Sequence, residues 1–284
     1  MNHTERSSDG ACFEFELLKQ GKTKKLWGHA DLERILIENT DRLTAYNGIE
    51  EVNIEGKGWY ATQVSNNCFK YLQQQGIPNH FIWPYEKEGS EHAFWAHKLD
   101  MLPVEFVVRH RPYGSYLERY PEEPYAEAFP EPIVEYFEKN DLLGDPELDV
   151  DWDQKVVRRF LPDQPRSQQS FIDEQPFSKL NHLLLDRWRD ATPIVYAAAL
   201  ALKKAWEHCN ATLVDIKFEC GVRYDNRVVI GDSIDADCWR LWRDDDPCDP
   251  LDRQLFKDRS TNNAIIAAQR FVLLQTMQWI PTQD

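Results

Sequence analysis

The run LVDIKFECG at residues 213–221 constrains this chain more than any other stretch. Strict alternation over that length reads as a β-strand, whose side chains point to opposite faces in turn. Val214, Ile216 and Phe218 share one face and suit a core, while Asp215, Lys217 and Glu219 share the other. A half-buried strand with an ordinary solvent face has the same pattern, so the segment alone leaves both readings open. The next strand, residues 227–232, is mostly apolar and ends in Asp232. With Asp225 and Asn226 as a two-residue turn, Glu219 stands opposite Asp232. Facing carboxylates repel unless something compensates. Oxygen-only ligands completed by water and phosphate describe a magnesium site of the kind that handles nucleotides. Lys217, on the same face, can reach a phosphate or a developing negative charge.

Cations matter here because the chain is acidic, with a formal net charge of −15. Such a surface repels nucleic acid and anionic membranes. Any bound phosphate must then be met by clustered Lys and Arg. Gly21-Lys22-Thr23-Lys24-Lys25 is one cluster. Its glycine turn lets the backbone approach a polyphosphate, and Lys22 and Lys24 share a strand face; a basic hairpin turn is the plainer alternative. It is not a GxxxxGKS/T loop, which argues against a P-loop nucleotidase. Residues 109–115 (RHRPYGS) form a second cluster, in which Arg109, the turn at Gly114 and Ser115 offer a cradle for a monoester phosphate. A surface arginine pair at a strand end is the alternative. Arg240, in the run WRLW at 239–242, is a further phosphate ligand candidate. The flanking tryptophans imply partial burial, where an unpaired guanidinium is costly.

The chain of 284 residues is long enough for one large domain or two closely packed ones. A hydrophobic fraction of 42% with 10 Trp excludes general disorder. Residues 1–15 lack the features of a secretory signal, and the longest apolar stretch, 194–202, is too short to span a bilayer. The six cysteines form no CxxC pair, so reduced thiols are expected. His92 and His97 do not have the spacing of a helical metal pair. A cytoplasmic location follows.

Strands are expected over 13–18, 25–27, 34–38 and 50–54, with a turn at Asn47-Gly48. A helix covers 62–75, stopped by Gly76 and Pro78. Residues 98–103 read as a hinge dividing a β-rich lobe, 1–100, from an α+β lobe, 101–284, that begins with a strand at 104–109. Residues 147–189 read as a long polar excursion. Thr192-Pro193 opens a helix to about residue 209. A hairpin spans 211–234, and a terminal helix covers 262–278 with Ile266, Ala267, Phe271 and Leu274 inward.

Taken in order, these segments resemble the SAICAR synthase family (phosphoribosylaminoimidazole-succinocarboxamide synthase). The match is carried by GKTK at 21–24, TAYNG at 44–48, GKG at 56–58, GIPNH at 76–80, KLDMLPVE at 98–105, Val108-Arg109 through Gly114-Ser115, KND at 139–141 with Asp145-Pro146, 213–221, and Gly231-Asp232 through the RLW at 240–242. The resemblance implies a two-lobed α+β fold with ATP between a β-rich N-terminal lobe and a larger C-terminal lobe. It implies that the carboxylate of carboxyaminoimidazole ribonucleotide becomes an acyl phosphate, which the amine of L-aspartate attacks. Carried over by position, Lys22, Lys24, Lys98 and Met101 would bind ATP, with Met101 at the adenine. Glu219 and Asp232 would hold Mg2+, and Lys217, with Asp215 beside it, would be catalytic at the transferring phosphoryl group. Arg109, Ser115 and Arg240 would grip the 5′-phosphate. Lys139 and Asp145 would belong to a mobile loop over the substrates. No nucleic acid or membrane partner is implied, and a homodimer stays open.

The sequence departs from the family pattern near the chemistry. Ser233 stands where Glu is usual, Asp235-Ala236-Asp237 replaces Ser-Pro-Asp, and Asp252-Arg253 replaces Asp-Lys. Two rival functions therefore stay open: a divergent ligase of the same fold using another amine or carboxylate, and a small-molecule kinase like those acting on inositol phosphates. A cradle for a single monoester phosphate argues against the kinase.

Overall fold

The computed structural model describes residues 3–6, 12–29, 33–45, 49–86, 92–180 and 182–280. The Asn47-Gly48 turn lies outside them. The first strands are β1 (His3–Arg6), β2 (Cys12–Gln20), β3 (Lys24–Gly28) and β4 (Arg34–Asn39), followed by the small hairpin β5 (Arg42–Ala45) and β6 (Glu50–Asn53). Helix α1 (Lys57–Gln74) starts five residues before the expected helix. Gly56 supplies the left-handed turn that opens it (φ 85°), and Asp41 accepts the backbone N–H of Gly56 and Gly58. With β7 (Phe81–Pro84) and β8 (Ala93–His97), six strands form one antiparallel sheet ordered β1-β2-β3-β4-β8-β7.

The second sheet begins with β9 (Asp100–Arg109), which runs through the segment expected to be a hinge. Pro103 has no N–H to give a ladder, and it lies where the register with the neighbouring strand shifts. Then come helix α2 (Ser115–Arg119), β10 (Ile133–Glu138), β11 (Glu147–Asp151), β12 (Val156–Phe160) and β13 (Phe171–Pro176). The supposed excursion carries regular structure: β11, β12 and β13 add three antiparallel strands outward from β10, and its last residues begin a helix. Their polarity misleads because ladders of Arg158 and Arg159 with Asp149, Asp151, Asp173 and Glu174 stand in for apolar alternation.

Helix α3 (His182–Glu207) begins ten residues before Thr192 and carries Pro193 inside it. Thr192 is no N-cap; its hydroxyl donates to the Trp188 carbonyl one turn back. Strands β14 (Ala211–Val222), β15 (Val228–Gly231) and β16 (Trp239–Arg243) complete the sheet. Its order is β13-β12-β11-β10-β9-β14-β15, and β16 also pairs with β14. Strand β14 therefore has β9 along one edge, while β16 and β15 share the other. Short helix α4 (Gln254–Lys257) precedes α5 (Asn262–Met277), whose N-cap Thr261 accepts the Ala264 N–H. The buried face of α5 is Ile265, Ala268, Val272 and Leu273, none of them among the four expected; Ile266 and Phe271 are half-buried, and Ala267 and Leu274 are exposed. One core joins the sheets and helices, running from Ile37, Phe69 and Phe94 through Phe106, Ile216 and Phe218 to Leu202 and Trp206. Among the described residues no helix is long and apolar enough to cross a membrane.

Candidate active site

The site forms where β14 changes partners. The hairpin between β14 and β15 closes with a three-residue loop, 224–226, because Arg223 N–H donates to the Arg227 carbonyl at 2.9 Å. Asn226 takes the left-handed position (φ 66°), as such loops require. The extra loop residue moves the register by one, so Gly231, not Asp232, pairs with Glu219. Asp232 follows the strand end with φ 61° and starts the loop to β16. That loop returns beside the middle of β14, where Lys217 N–H donates to the Cys238 carbonyl. The two carboxylates thus meet through a turn rather than across a ladder. Burial first, and the Asp232 charge second, push the Glu219 pKa up.

Each carboxylate here is met by an ammonium group. Lys24 contacts Asp232 at 2.6 Å, Lys139 contacts Glu219 at 2.5 Å, and Lys217 contacts Glu105 at 2.7 Å and Glu219 at 3.9 Å. Burial works against the charge on Asp232, but Lys24, helped by Lys217 and Lys139, overrides it and holds that pKa below the usual carboxylate value. Burial likewise opposes the charge on Lys217, yet Glu105 and Glu219 carry its pKa up to about 12. Glu105 was not anticipated. Its signal is in the sequence, since alternation through 105, 107 and 109 puts Glu105 on the face of Arg109, and its register partner across β9 and β14 is Glu219.

The oxygen donors Glu219 and Asp232 fit a hard cation such as Mg2+. Among the described residues no three His, Cys, Asp or Glu side chains converge as a ready-made cage. A metal held here would complete its shell with water and phosphate oxygens.

The phosphate-binding candidates fall in two places. Lys24 begins β3 and turns onto Asp232, whereas Lys22 sits in the bend before the strand and is exposed, so the two do not share a strand face. Lys98 is exposed just before β9, its N–H donating to the Glu33 carbonyl. Met101 is 42% exposed and lies over Gly221 and Gly231. A Cβ on Gly221 would come within 3.1 Å of the Met101 sulfur and 2.8 Å of Leu99, so the glycines make a bed for this apolar platform. Lys139 and Asp145 flank the β10–β11 loop, which Asn140 and Asp145 close through paired bonds of 2.8 and 3.0 Å.

Arg109, Ser115 and Arg240 do come together. Asp215, buried at 5% exposure, accepts from Arg109 at 2.8 Å and from Arg240. Arg109 also donates to Glu135, and its remaining nitrogen lies 3.5 Å from the Ser115 hydroxyl. Arg240 is the more open of the two, at 20% side-chain exposure against 3%. Gly114 is obligatory: at φ 56° its Cβ would sit 2.5 Å from an Arg240 guanidinium nitrogen. Asp215, expected to be catalytic, is the acceptor shared by the two guanidiniums.

Ser233 is buried and donates to Asp235 at 2.8 Å. Asp237 pairs with buried Lys57 at 2.5 Å, a contact between residues 180 positions apart that no local pattern announces.

A family model described as SAICAR synthetase matches residues 17–270. This chain belongs to the SAICAR synthetase family. Its activity is that of the family, an ATP-dependent ligase of de novo purine biosynthesis. A phosphoribosylaminoimidazole-succinocarboxamide synthase of Chloroflexus aggregans is 32% identical over 85% of the chain and 86% of its own length. One from a Synechococcus strain is 33% identical over 94% and 96%. A probable multifunctional protein of Caenorhabditis elegans is 34% identical over 86% of the chain, which spans only 52% of that relative. Among solved structures, a SAICAR synthetase in complex with ADP superposes with a TM-score of 0.75 at 28% identity, covering 94% of this chain and all of that one. The Pyrococcus horikoshii enzyme superposes at 0.71, also at 28% identity, covering 92% of this chain and all of its own. The fold is therefore the SAICAR synthetase fold, as expected.

Proposed function

We propose that the ammonium and carboxylate cluster where β14 changes partners is where this chain carries out its family's reaction. The carboxylate of carboxyaminoimidazole ribonucleotide attacks the γ-phosphorus of ATP, forming a C–O–P bond and releasing ADP. The amine of L-aspartate then adds to the acyl carbon, phosphate leaves, and the lost proton passes to solvent, giving SAICAR. Lys24 and Lys217 meet the charge on the transferring phosphoryl group, where fixed positive charge in a part-buried site acts most strongly. Lys22 and Lys98 lie at the open approach to the ATP phosphates, and Met101 offers an apolar face for adenine. Glu219 and Asp232 would hold Mg2+, which would supply charge neutralisation to the nucleotide phosphates. Lys139 and Lys24 pair with those carboxylates and orient them toward the site. Arg240 and Ser115 take the ribonucleotide 5′-phosphate, with Arg109 behind them; Lys139 and Asp145 flank the loop beside the substrates.

The observation that carries this reading is the convergence of Lys24, Lys139 and Lys217 on Glu105, Glu219 and Asp232, beside a guanidinium-and-hydroxyl cradle. ADP release with carboxyaminoimidazole ribonucleotide, with and without L-aspartate, tests the substrates. Glu219→Gln and Asp232→Asn are each expected to lower turnover by at least about a hundredfold with the fold intact. Near wild-type turnover at low magnesium in either variant refutes the metal assignment.

A further inference from the structure

The cradle does not stand alone. From Arg240 a line of alternating charges runs away from the site through the sheet. Asp215 lies between Arg240 and Arg109; Glu135 lies between Arg109 and Arg119. Glu147 lies between Arg119, at 3.4 Å, and Arg166, at 2.9 Å, and Arg166 ends the line on Asp149 at 2.8 Å. Each of the first three carboxylates is shared by two guanidiniums, and the inner members are buried. Arg109 and Arg119 have side-chain exposures of 3% and 1%, and Glu135 and Glu147 of 7% and 6%.

Arg119 is the knot in this line. From helix α2 it donates to the Ser115 carbonyl at 3.0 Å, fixing a cradle residue directly. The same nitrogen donates to the Pro162 carbonyl at 3.2 Å, and the Arg119 carbonyl accepts the Arg166 N–H at 2.9 Å. Pro162 and Arg166 belong to the connection between β12 and β13, within the extension that lies beyond β10. Arg166 is itself fixed by Phe160, whose ring centre is 3.8 Å from the guanidinium carbon. Buried charges of this kind depend on each other's geometry, because removing one leaves its neighbours uncompensated in a low dielectric.

We propose that Arg119 is a positioning residue for the phosphate cradle, and that the β11–β13 extension braces it through Glu147 and Arg166. The inference rests on the cradle's assignment to the ribonucleotide phosphate. It gives the polar extension a role in binding one substrate through its hold on Arg119.

Steady-state kinetics of Arg119→Lys, Arg166→Ala and Arg240→Ala test it, with Arg158→Ala as control. Arg158 also lies on the extension, but it touches only the line's exposed outer end, Asp149 at 3.7 Å, and none of its buried members, pairing otherwise with Asp151 and Glu174. Arg119→Lys keeps the charge and loses the fork. It is expected to raise the KM for carboxyaminoimidazole ribonucleotide about tenfold, the effect of one charge-assisted bond. Arg166→Ala, one link further out, is expected to raise it about threefold, with KM for ATP moving less than about twofold in both. Turnover of the corresponding nucleoside, which lacks the 5′-phosphate, is expected to stay unchanged in both, as is every parameter of Arg158→Ala. A merely structural role would lower ribonucleotide and nucleoside turnover in the same ratio, and that result overturns the proposal. So does an unmoved ribonucleotide KM in Arg166→Ala, which decides the matter if Arg119→Lys does not fold. Arg240→Ala separates the two levels: if it raises the ribonucleotide KM selectively while the other two do not, the brace is wrong and the cradle stands. If Arg240→Ala weakens both substrates equally, the cradle assignment falls and the brace falls with it.

Discussion

Replacing Gly114 by Ala tests the cradle with a single methyl group that touches no substrate atom. Gly114 has φ 56° and ψ −132°, a region nearly closed to residues with a Cβ. Holding an L-residue there costs about 1–3 kcal/mol. The new Cβ would also lie 2.5 Å from one Arg240 guanidinium nitrogen and 2.7 Å from its central carbon. Normal contact needs roughly 3.5 Å, so the guanidinium must withdraw by about 1 Å. That breaks its alignment on Asp215, a charge-assisted bond of ~1.5–3 kcal/mol, and it moves the same donors away from the phosphate. A loss of that size raises the ribonucleotide KM by about tenfold to a hundredfold. The KM for ATP is expected to change by less than about twofold, since Lys24 and Lys217 are held by other carboxylates. The melting temperature should also fall by several degrees, from the backbone term alone. Coupled ADP-release kinetics with each substrate varied in turn, beside a thermal melt, give all three numbers. A destabilised Gly114→Ala protein with an unchanged ribonucleotide KM refutes the reasoning, because the clash would then have been relieved without moving Arg240 from a phosphate it was said to hold.

Stability should also fall in mild acid. Burial pushes the pKa values of His80 and His110 down to about 4, while the unfolded chain titrates near about 6.5. The unfolded state therefore binds protons that the native state refuses as pH drops from 6.5 to 4, removing on the order of 3 kcal/mol per histidine by the end of that window. Asp252 works the other way: burial raises its pKa to about 6, so the native state takes its proton first and regains some stability below pH 6. Melting at pH 7 and pH 5 reads the sum. His110→Leu, which removes a ring whose nitrogens have no hydrogen-bond partner among the described residues, should flatten the fall, and an equally steep fall in that variant rules His110 out as a contributor. Ser233→Glu places a second carboxylate against buried Asp235 and should cost about 2–4 kcal/mol. Adding Asp235→Ser should restore most of it, and simple additivity of the two changes would show that the positions do not interact.

The sequence by itself determined what depends on neighbours along the chain. The alternation of β14 separates Val214, Ile216 and Phe218 from Lys217 and Glu219 because successive strand side chains must oppose each other. The ordered run of short motifs was enough to identify the family, fold and reaction class. Where local rules compete, sequence reading failed by small steps with large consequences. One extra residue in the 224–226 loop shifted Glu219 from Asp232 to Gly231, and α5 buries Leu273 where Leu274 was expected. The polar extension looked unstructured because its strands are stabilised by cross-strand ion pairs, which carry no hydrophobic period.

What only the tertiary structure decided is which charge answers which. Lys24 meets Asp232 across 208 residues, Lys217 meets Glu105 across 112, and Arg109 meets Asp215 across 106. These partners are set by β14 giving one edge to β9 and the other jointly to β15 and β16, with the 232–238 loop returning between them. A charge in a sequence has many chemically equivalent partners. Burial in a fixed strand order leaves it one, because a buried charge without a partner is too costly to keep.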